Sequence, residues 1–205
     1  MMKCVISVVS FLIVLSLGHA QSREAVSISA GMSLPNAPAQ FYDYWSPGWG
    51  GSIQHSSRVE YFYGWSVSAE YNYFAFDSRK FLDHFSVVDP NAVINGASTS
   101  IYSGYGAVDF YLPEFESITV SPFIGLGGLY TSVSEADITY TFLNTTAPSD
   151  SKFLLIFPYG IKFMSRVSEN YNIFLEAKMS VGLNRLKDKN TDFASIRAGV
   201  RLKID

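Results

Sequence analysis

Phe193-Ala194-Ser195-Ile196-Arg197-Ala198-Gly199-Val200-Arg201-Leu202-Lys203-Ile204 is the stretch that decides the fold. Ala194, Ile196, Ala198, Val200, Leu202 and Ile204 fall on one side, and Ser195, Arg197, Gly199, Arg201 and Lys203 on the other. A strict period of two is the geometry of a β-strand, whose successive side chains point to opposite faces. This strand is apolar on one face and cationic on the other, and only Asp205 follows it.

The opposite end of the chain reads as a targeting segment. Lys3 supplies a positive start, Cys4 to Leu17 is an apolar run, and Gly18-His19-Ala20 places small residues at the −3 and −1 positions. The run is shorter than the roughly 20 residues a membrane helix needs. Residues 1–20 are therefore expected to be a cleaved secretory signal peptide, with residues 21–205 forming one domain. Cys4, the single cysteine, departs with the signal, so the mature chain forms no disulfide and no thiolate metal site. It precedes the apolar run, which is the wrong side for lipid attachment.

Composition narrows the class further. The formal charge is −3, and −4 once Lys3 is removed, which is too weak to argue for a nucleic-acid partner. Charged residues make up 16% of the chain and aromatic residues another 16%, with 13 Tyr, as expected where side chains sit at a membrane–water boundary. The longest apolar stretch after the signal, Phe153 to Ile161, is short and holds Pro158. A membrane-spanning form of this chain must be a closed barrel, because no open sheet edge can face lipid.

Eight alternating segments follow one another. They are Ala25–Leu34, Trp49–Arg58, Trp65–Phe76, Ser98–Leu112, Ser117–Ser132, Lys152–Met164, Asn172–Leu183 and the terminal stretch. The second alternates weakly, and the fourth is ambiguous in phase until Asp109 is turned away from lipid. Pro35–Pro47, Asp77–Ala97, Asn144–Ser151 and Asn184–Asp192 read as long loops, and Ala136–Phe142 as a prolongation of the fifth strand above the membrane. Pro113-Glu114-Phe115-Glu116 and Ser165–Tyr171 read as short turns. Long connections follow strands one, three, five and seven, and short ones follow two, four and six. That alternation is the pattern of outer-membrane barrels, with short periplasmic turns and longer external loops. The prediction is an all-β, eight-stranded antiparallel up-and-down transmembrane β-barrel.

Period two does not say which face is inside, since a soluble ligand-carrying barrel also alternates. Three features turn the apolar face outward. The polar face is mostly Ser and Gly, whereas a water-facing surface carries more Lys and Glu. The apolar face carries bulky Trp65, Tyr71, Tyr73, Tyr159 and Phe163, and small residues suit the crowded interior of eight strands better. Trp45, Trp49, Tyr61, Tyr63, Trp65, Tyr73 and Phe76 gather at strand ends, as in two interfacial girdles. This phase turns Lys162, Lys178, Arg197 and Arg201 inward with Glu70, Asp109 and Glu176. An outward Arg or Lys would cost roughly 2–4 kcal/mol at mid-bilayer. Buried charges must be paired, so an internal ion-pair network is expected, with Glu176 as a partner of Arg197 and Arg201. On that basis Glu176→Ala should lower barrel stability.

The pattern resembles the small OmpA/OmpX-type outer-membrane β-barrel superfamily along its whole eight-strand length. Arg197 to Ile204 is similar to that family's C-terminal assembly signal, with Gly199, Leu202 and Ile204 in place. The usual final aromatic is absent. The resemblance implies a bacterial outer-membrane location, contact with outer-membrane lipids including lipopolysaccharide, and recognition by the barrel assembly machinery. It implies no particular activity, because this superfamily includes structural proteins, adhesins and a few enzymes.

Candidate chemistry is sparse. His55-Ser56-Ser57 with Glu70 on the next strand faintly resembles the His-x-Ser plus Glu arrangement of outer-membrane lipid A deacylases. A base beside a serine is the logic of acyl transfer. However, His55 falls near the periplasmic end, Ser57 shares parity with outward Ile53, and Glu70 points inward, so a polar turn-proximal segment is the better reading. Gly125-Leu126-Gly127-Gly128 lies within a strand and has no following helix, so it is no phosphate loop. Glu135 and Asp137, or Asp188 and Asp192, lack calcium-ligand spacing and read as solvated loop carboxylates, as does Lys187-Asp188-Lys189.

No catalytic, cofactor-binding or metal residues are therefore assigned. The expected function is a non-enzymatic integral outer-membrane protein, monomeric and without a wide pore, in envelope structure or surface interaction. A lipid A deacylase-like enzyme and a soluble periplasmic lipid-binding barrel are the competing readings.

Overall fold

The computed structural model describes residues 23–84, 92–113, 117–141, 144–183 and 191–204. The segments expected to be the signal peptide and the Lys187-Asp188-Lys189 loop lie outside these residues.

In chain order the strands are β1 (Arg23–Ala37), β2 (Gly48–Arg58), β3 (Tyr63–Phe74), β4 (Val93–Gly96), β5 (Thr99–Phe110), β6 (Ile118–Val133), β7 (Ala136–Thr139), β8 (Asn144–Ala147), β9 (Asp150–Arg166), β10 (Tyr171–Gly182) and β11 (Asp192–Ile204). The eight long ones form the wall and close in the order β1-β11-β10-β9-β6-β5-β3-β2. Every adjacent pair is antiparallel, and β11 seals the barrel against β1 from Glu24↔Ile204 to Ala37↔Asp192. Both ends of the wall's path, at Arg23 and Ile204, lie at the short-turn end.

The inward and outward faces follow the expected phase. Ile28, Val67, Ile124, Leu175, Ile196 and Val200 are exposed, whereas Ser27, Ser29, Ser66, Ser68, Glu176 and Arg197 are buried. Val108 and Phe110 turn outward and Asp109 inward. Leu126, in the middle of its strand, shows 61% of its surface. No helix among the described residues is long and apolar enough to cross a membrane. The exposed Ile, Leu, Val and aromatic side chains of the wall strands form an apolar belt around the outside of the barrel.

At the long-loop end, an aromatic row runs from strand to strand around the outside. Trp49, Tyr71, Tyr102, Tyr130 and Phe153 follow one another in pairing register or ring contact. Adjacent centroids lie 5.6 Å (Trp49–Tyr71), 5.1 Å (Tyr71–Tyr102) and 6.4 Å (Tyr102–Tyr130) apart. Gly128 lies under the Phe153 ring, where a Cβ would come within 2.6 Å of it. This row forms one interfacial girdle.

Several sequence expectations change. Pro35–Pro47 and Asp77–Ala97 are not plain loops. The first holds α1 (Ala39–Tyr44), and the second holds α2 (Ser78–His84) and β4. Ala136–Phe142 does not continue the fifth wall strand. Its first part is β7, which pairs with β8 and with β4 in a separate three-stranded sheet. Asn144–Ser151 likewise holds β8 and the start of β9. These pieces are too short and too polar to be read by periodicity alone. They form because two long loops stand side by side above the rim. Gly96, at φ 95°, turns β4 toward the wall where a Cβ would collide with the Glu135 carbonyl. Trp45 and Phe76 also leave the girdle. They pack edge to face with centroids 5.1 Å apart and belong to the cap.

Candidate functional site

The interior is filled in layers. Two ionic storeys come from β-strand residues of alternating parity. In the outer storey, Glu70 of β3 is the hub. It pairs with Lys178 of β10 and with Arg197 of β11, the latter at 2.9 Å. The Tyr105 hydroxyl donates to Glu70 Oε1 at 2.8 Å, and Ser103 Oγ donates to Oε2 at 3.4 Å. Arg197 Nη2 donates to Asn72 Oδ1 at 2.8 Å, and Ser33 Oγ donates to the same oxygen at 2.7 Å. Four strands plus β1 are thereby tied across the lumen.

The inner storey lies nearer the short-turn end. Lys162 Nζ sits 3.1 Å from Asp109 Oδ1 and 3.8 Å from Glu176 Oε2. It also donates to Gln54 Oε1 at 2.8 Å, and Gln54 Nε2 donates to Ser68 Oγ at 3.0 Å. The Lys162 ammonium lies 4.6 Å from the Phe123 ring centroid. Charges taken out of water are tolerated when ion pairs and further hydrogen bonds replace the lost hydration.

Apolar residues close the lumen above the outer storey. Phe74, Ile101, Leu129, Ile156 and Phe193 are buried there, and Phe41 of α1 packs onto Phe74 with centroids 5.0 Å apart. The alternation predicts a lumen of mostly small side chains. Large ones enter because neighbouring glycines make room. Gly199, for example, lies against Phe174, and a Cβ there would come within 2.6 Å of the ring. Below the inner storey Tyr111, Met164 and Phe174 form a smaller cluster.

The expected ion-pair network is therefore present, but neither Arg197 nor Arg201 takes Glu176 as its partner. Glu176 stands opposite Arg197 in the β10–β11 register, yet Arg197 reaches Glu70 instead. Glu176 pairs with Lys162. Arg201 meets no carboxylate among the described residues. Its guanidinium donates to Met164 Sδ at 3.3 Å and to the Tyr111 hydroxyl at 3.5 Å. Sequence reasoning misses Tyr105 as a partner of Glu70. Its even spacing from Asp109 is the available signal, obscured by the ambiguous phase of that strand. Gln54 is hidden by the weak alternation of β2.

The residues of the acyl-transfer pattern are not brought together. His55 packs against the Trp65 ring with centroids 5.6 Å apart and pairs with Val67 on the outward parity of the wall. Glu70 is committed to Lys178, Arg197 and Tyr105 inside it. The backbone of the barrel separates them. Gly125, Gly127 and Gly128 lie within β6, in the wall. Asp137 accepts a hydrogen bond from Thr146 Oγ1 at 3.2 Å across the cap hairpin, and Asp192 accepts one from the Gly182 amide at 2.8 Å. Among the described residues no group of His, Cys, Asp and Glu could hold a metal ion. Asp188 lies outside them.

The lumen also separates this barrel from a soluble lipid carrier. Its interior is charged and filled, while its apolar surface faces out. This is the reverse of a barrel that shelters an acyl chain.

No protein-family model and no curated protein matches the sequence. Solved structures do match the fold. Ail, the attachment invasion locus protein of Yersinia pestis, superposes with a TM-score of 0.54 at 18% identity, covering 89% of this chain and 99% of its own. Neisserial surface protein A superposes with a TM-score of 0.50 at 13% identity, covering 88% and 97%. A major outer membrane protein from Thermus thermophilus gives 0.54 at 10% identity, covering 90% and 100%. Closed wall, outward apolar belt and salt-bridged lumen give this chain a closed eight-stranded β-barrel fold similar to that of these outer-membrane proteins.

Proposed function

We propose that the protein is a non-enzymatic outer-membrane barrel that holds a structured external cap for surface interaction and conducts through no wide pore. The observation that carries this reading is the division of labour along the axis. The lumen is occupied from Phe193 down to Tyr111, so the barrel serves as a support. Above it, α1, α2 and the β4-β7-β8 sheet give the long loops a defined shape. A filled eight-stranded interior leaves no aqueous channel.

The name of one similar fold, attachment invasion locus protein, supports a surface role. That protein also forms a complex with the heparin analogue sucrose octasulfate. The described segments of the cap here are predominantly acidic. Residues 38–47, 75–84, 92–98, 134–141 and 144–152 contain Asp43, Asp77, Asp83, Glu135, Asp137 and Asp150 against Arg79, Lys80 and Lys152. The acidic excess on these segments disfavours a polyanion and favours a neutral or basic partner surface. Outer-membrane lipids including lipopolysaccharide surround the belt, and the barrel assembly machinery inserts a monomer.

The test compares cells displaying the full chain with cells in which residues 134–149 are replaced by a short Gly-Ser turn. Both proteins should show heat-modifiable gel migration, and adhesion to protein-coated surfaces should fall in the second. Equal adhesion, or porin-sized conductance of the purified full chain in planar bilayers, would overturn the reading. A His55-dependent change in lipid A acylation would favour the enzyme instead. Residues 1–20 act as a cleaved signal in this scheme, so intact mass of the membrane-extracted protein should correspond to a chain beginning at Gln21.

A further inference from the structure

The short-turn end of the lumen opens into a vestibule of about 150 Å³. Five cationic side chains line it: Arg23, Arg58, Arg166, Arg201 and Lys203. They come from β1, β2, β9 and β11, so the closure of the barrel brings them together from distant parts of the sequence. Glu24 is the only carboxylate among the described lining residues. Arg23, Arg58, Arg166 and Arg201 form no ion pair with any described residue. Arg58 instead donates to the Glu60 and Tyr61 carbonyls. Arg58 and Arg201 both lie over the Tyr111 ring, at 4.5 and 5.8 Å from its centroid.

This contrasts with the storeys above, where each buried cation has a carboxylate. Arg58, Arg201 and Lys203 are half-buried and Arg23 and Arg166 are exposed at the rim, and like charges gathered this closely repel one another unless a counter-charge enters. Guanidinium groups present planar forks of N–H donors that match the oxygens of a phosphate. Asn172 adds a further group. Its buried amide oxygen has no hydrogen-bond partner, and rotation of the amide offers an N–H in its place. We infer that this vestibule is a binding site for a phosphate-class oxyanion, presented to the lumen from the periplasmic side. Arg166, Arg201 and Arg23 bind the oxygens, and Tyr111 holds Arg58 and Arg201 in place beside them. A free phosphate and the headgroup of an anionic lipid share this chemistry.

The experiment is calorimetric titration of inorganic phosphate, at constant ionic strength, into the mature full chain refolded in an uncharged maltoside detergent. Saturable binding is expected. Arg166→Gln and Arg201→Gln should each weaken it about tenfold, the size of one charge-assisted hydrogen bond. Lys80→Gln, on the external cap, should bind as the parent does. The Arg166 side chain forms no ion pair with the described residues, so its variant reports binding without disturbing the wall, and gel migration confirms folding. Glu114 and Glu116 of the adjacent turn lie outside the described residues, and the parent chain carries both. Absence of saturable binding by the parent would overturn the inference, as would unchanged affinity in Arg166→Gln and Arg201→Gln. The same titration in nanodiscs identifies the source. Binding in phosphatidylcholine discs that vanishes when phosphatidylglycerol is added assigns the site to a lipid headgroup. Binding unaffected by phosphatidylglycerol assigns it to a soluble anion.

Discussion

Replacing Glu70 with Ala is expected to destabilise the barrel by about 3–5 kcal/mol, the cost of leaving a buried ion-pair partner uncompensated. Its carboxylate faces two cations at once, Lys178 and Arg197, together with the Tyr105 hydroxyl. All of these groups are buried. Removing the carboxylate leaves two buried positive charges side by side on the neighbouring strands β10 and β11 without their counter-charge. Urea unfolding of the protein refolded in lipid vesicles, followed by Trp fluorescence, measures the loss. Glu176→Ala should cost less, because its nearest cation, Lys162, lies 3.8 Å away and keeps Asp109 at 3.1 Å and Gln54 at 2.8 Å. An unfolding midpoint in Glu70→Ala equal to that of Glu176→Ala would show that the outer storey has no hub. Glu70→Gln separates charge from shape: it retains the hydrogen-bond acceptor for Tyr105 and should remain destabilised through the unpaired cations.

Introducing Arg at Leu126 should cost about 2–4 kcal/mol, because this residue sits near the centre of β6 and faces lipid. The same substitution at Phe110 should cost about 0–1 kcal/mol, because Phe110 ends β5 at the short-turn rim, where a long side chain reaches the interface. The pair gives a depth profile rather than a single value. Folding efficiency into vesicles and the urea midpoint both report it. Equal effects at the two sites would contradict the orientation of β5 and β6 in the membrane. Little effect at either would contradict a lipid-facing belt.

Nearly all of the wall was legible in the residues. Alternation in Phe193–Ile204 and in Asn172–Leu183 fixes strand type, and the placement of Glu70, Asp109, Lys162 and Arg197 fixes phase. Both signals are local: one residue step reverses the side chain, and a misplaced charge in lipid is expensive. The same residues foretold that cations and carboxylates would meet inside. What the alternation could not supply was the choice of partner. Glu176 and Arg197 are neighbours in register, yet the longer reach across the lumen joins Arg197 to Glu70 and Asn72 on β3, the latter 125 positions away in the chain.

The cap was less legible than the wall. β4, β7 and β8 are four residues each, shorter than the window in which periodicity speaks, and their pairing depends on two loops meeting above the rim. Trp45 and Phe76 looked like girdle residues by type, but packing places them on each other. The periplasmic vestibule was hidden for the same reason. Arg23, Arg58, Arg166 and Arg201 are dispersed along the chain, and only ring closure of β1, β2, β9 and β11 converges them. The sequence by itself determined that this chain is an eight-stranded barrel with an apolar outside and a charged inside, because those properties follow from the side-chain period of each strand alone. Tertiary structure decided which charges pair, what fills the lumen and where cations converge at the short-turn rim, because each depends on distances across the barrel that no local pattern encodes.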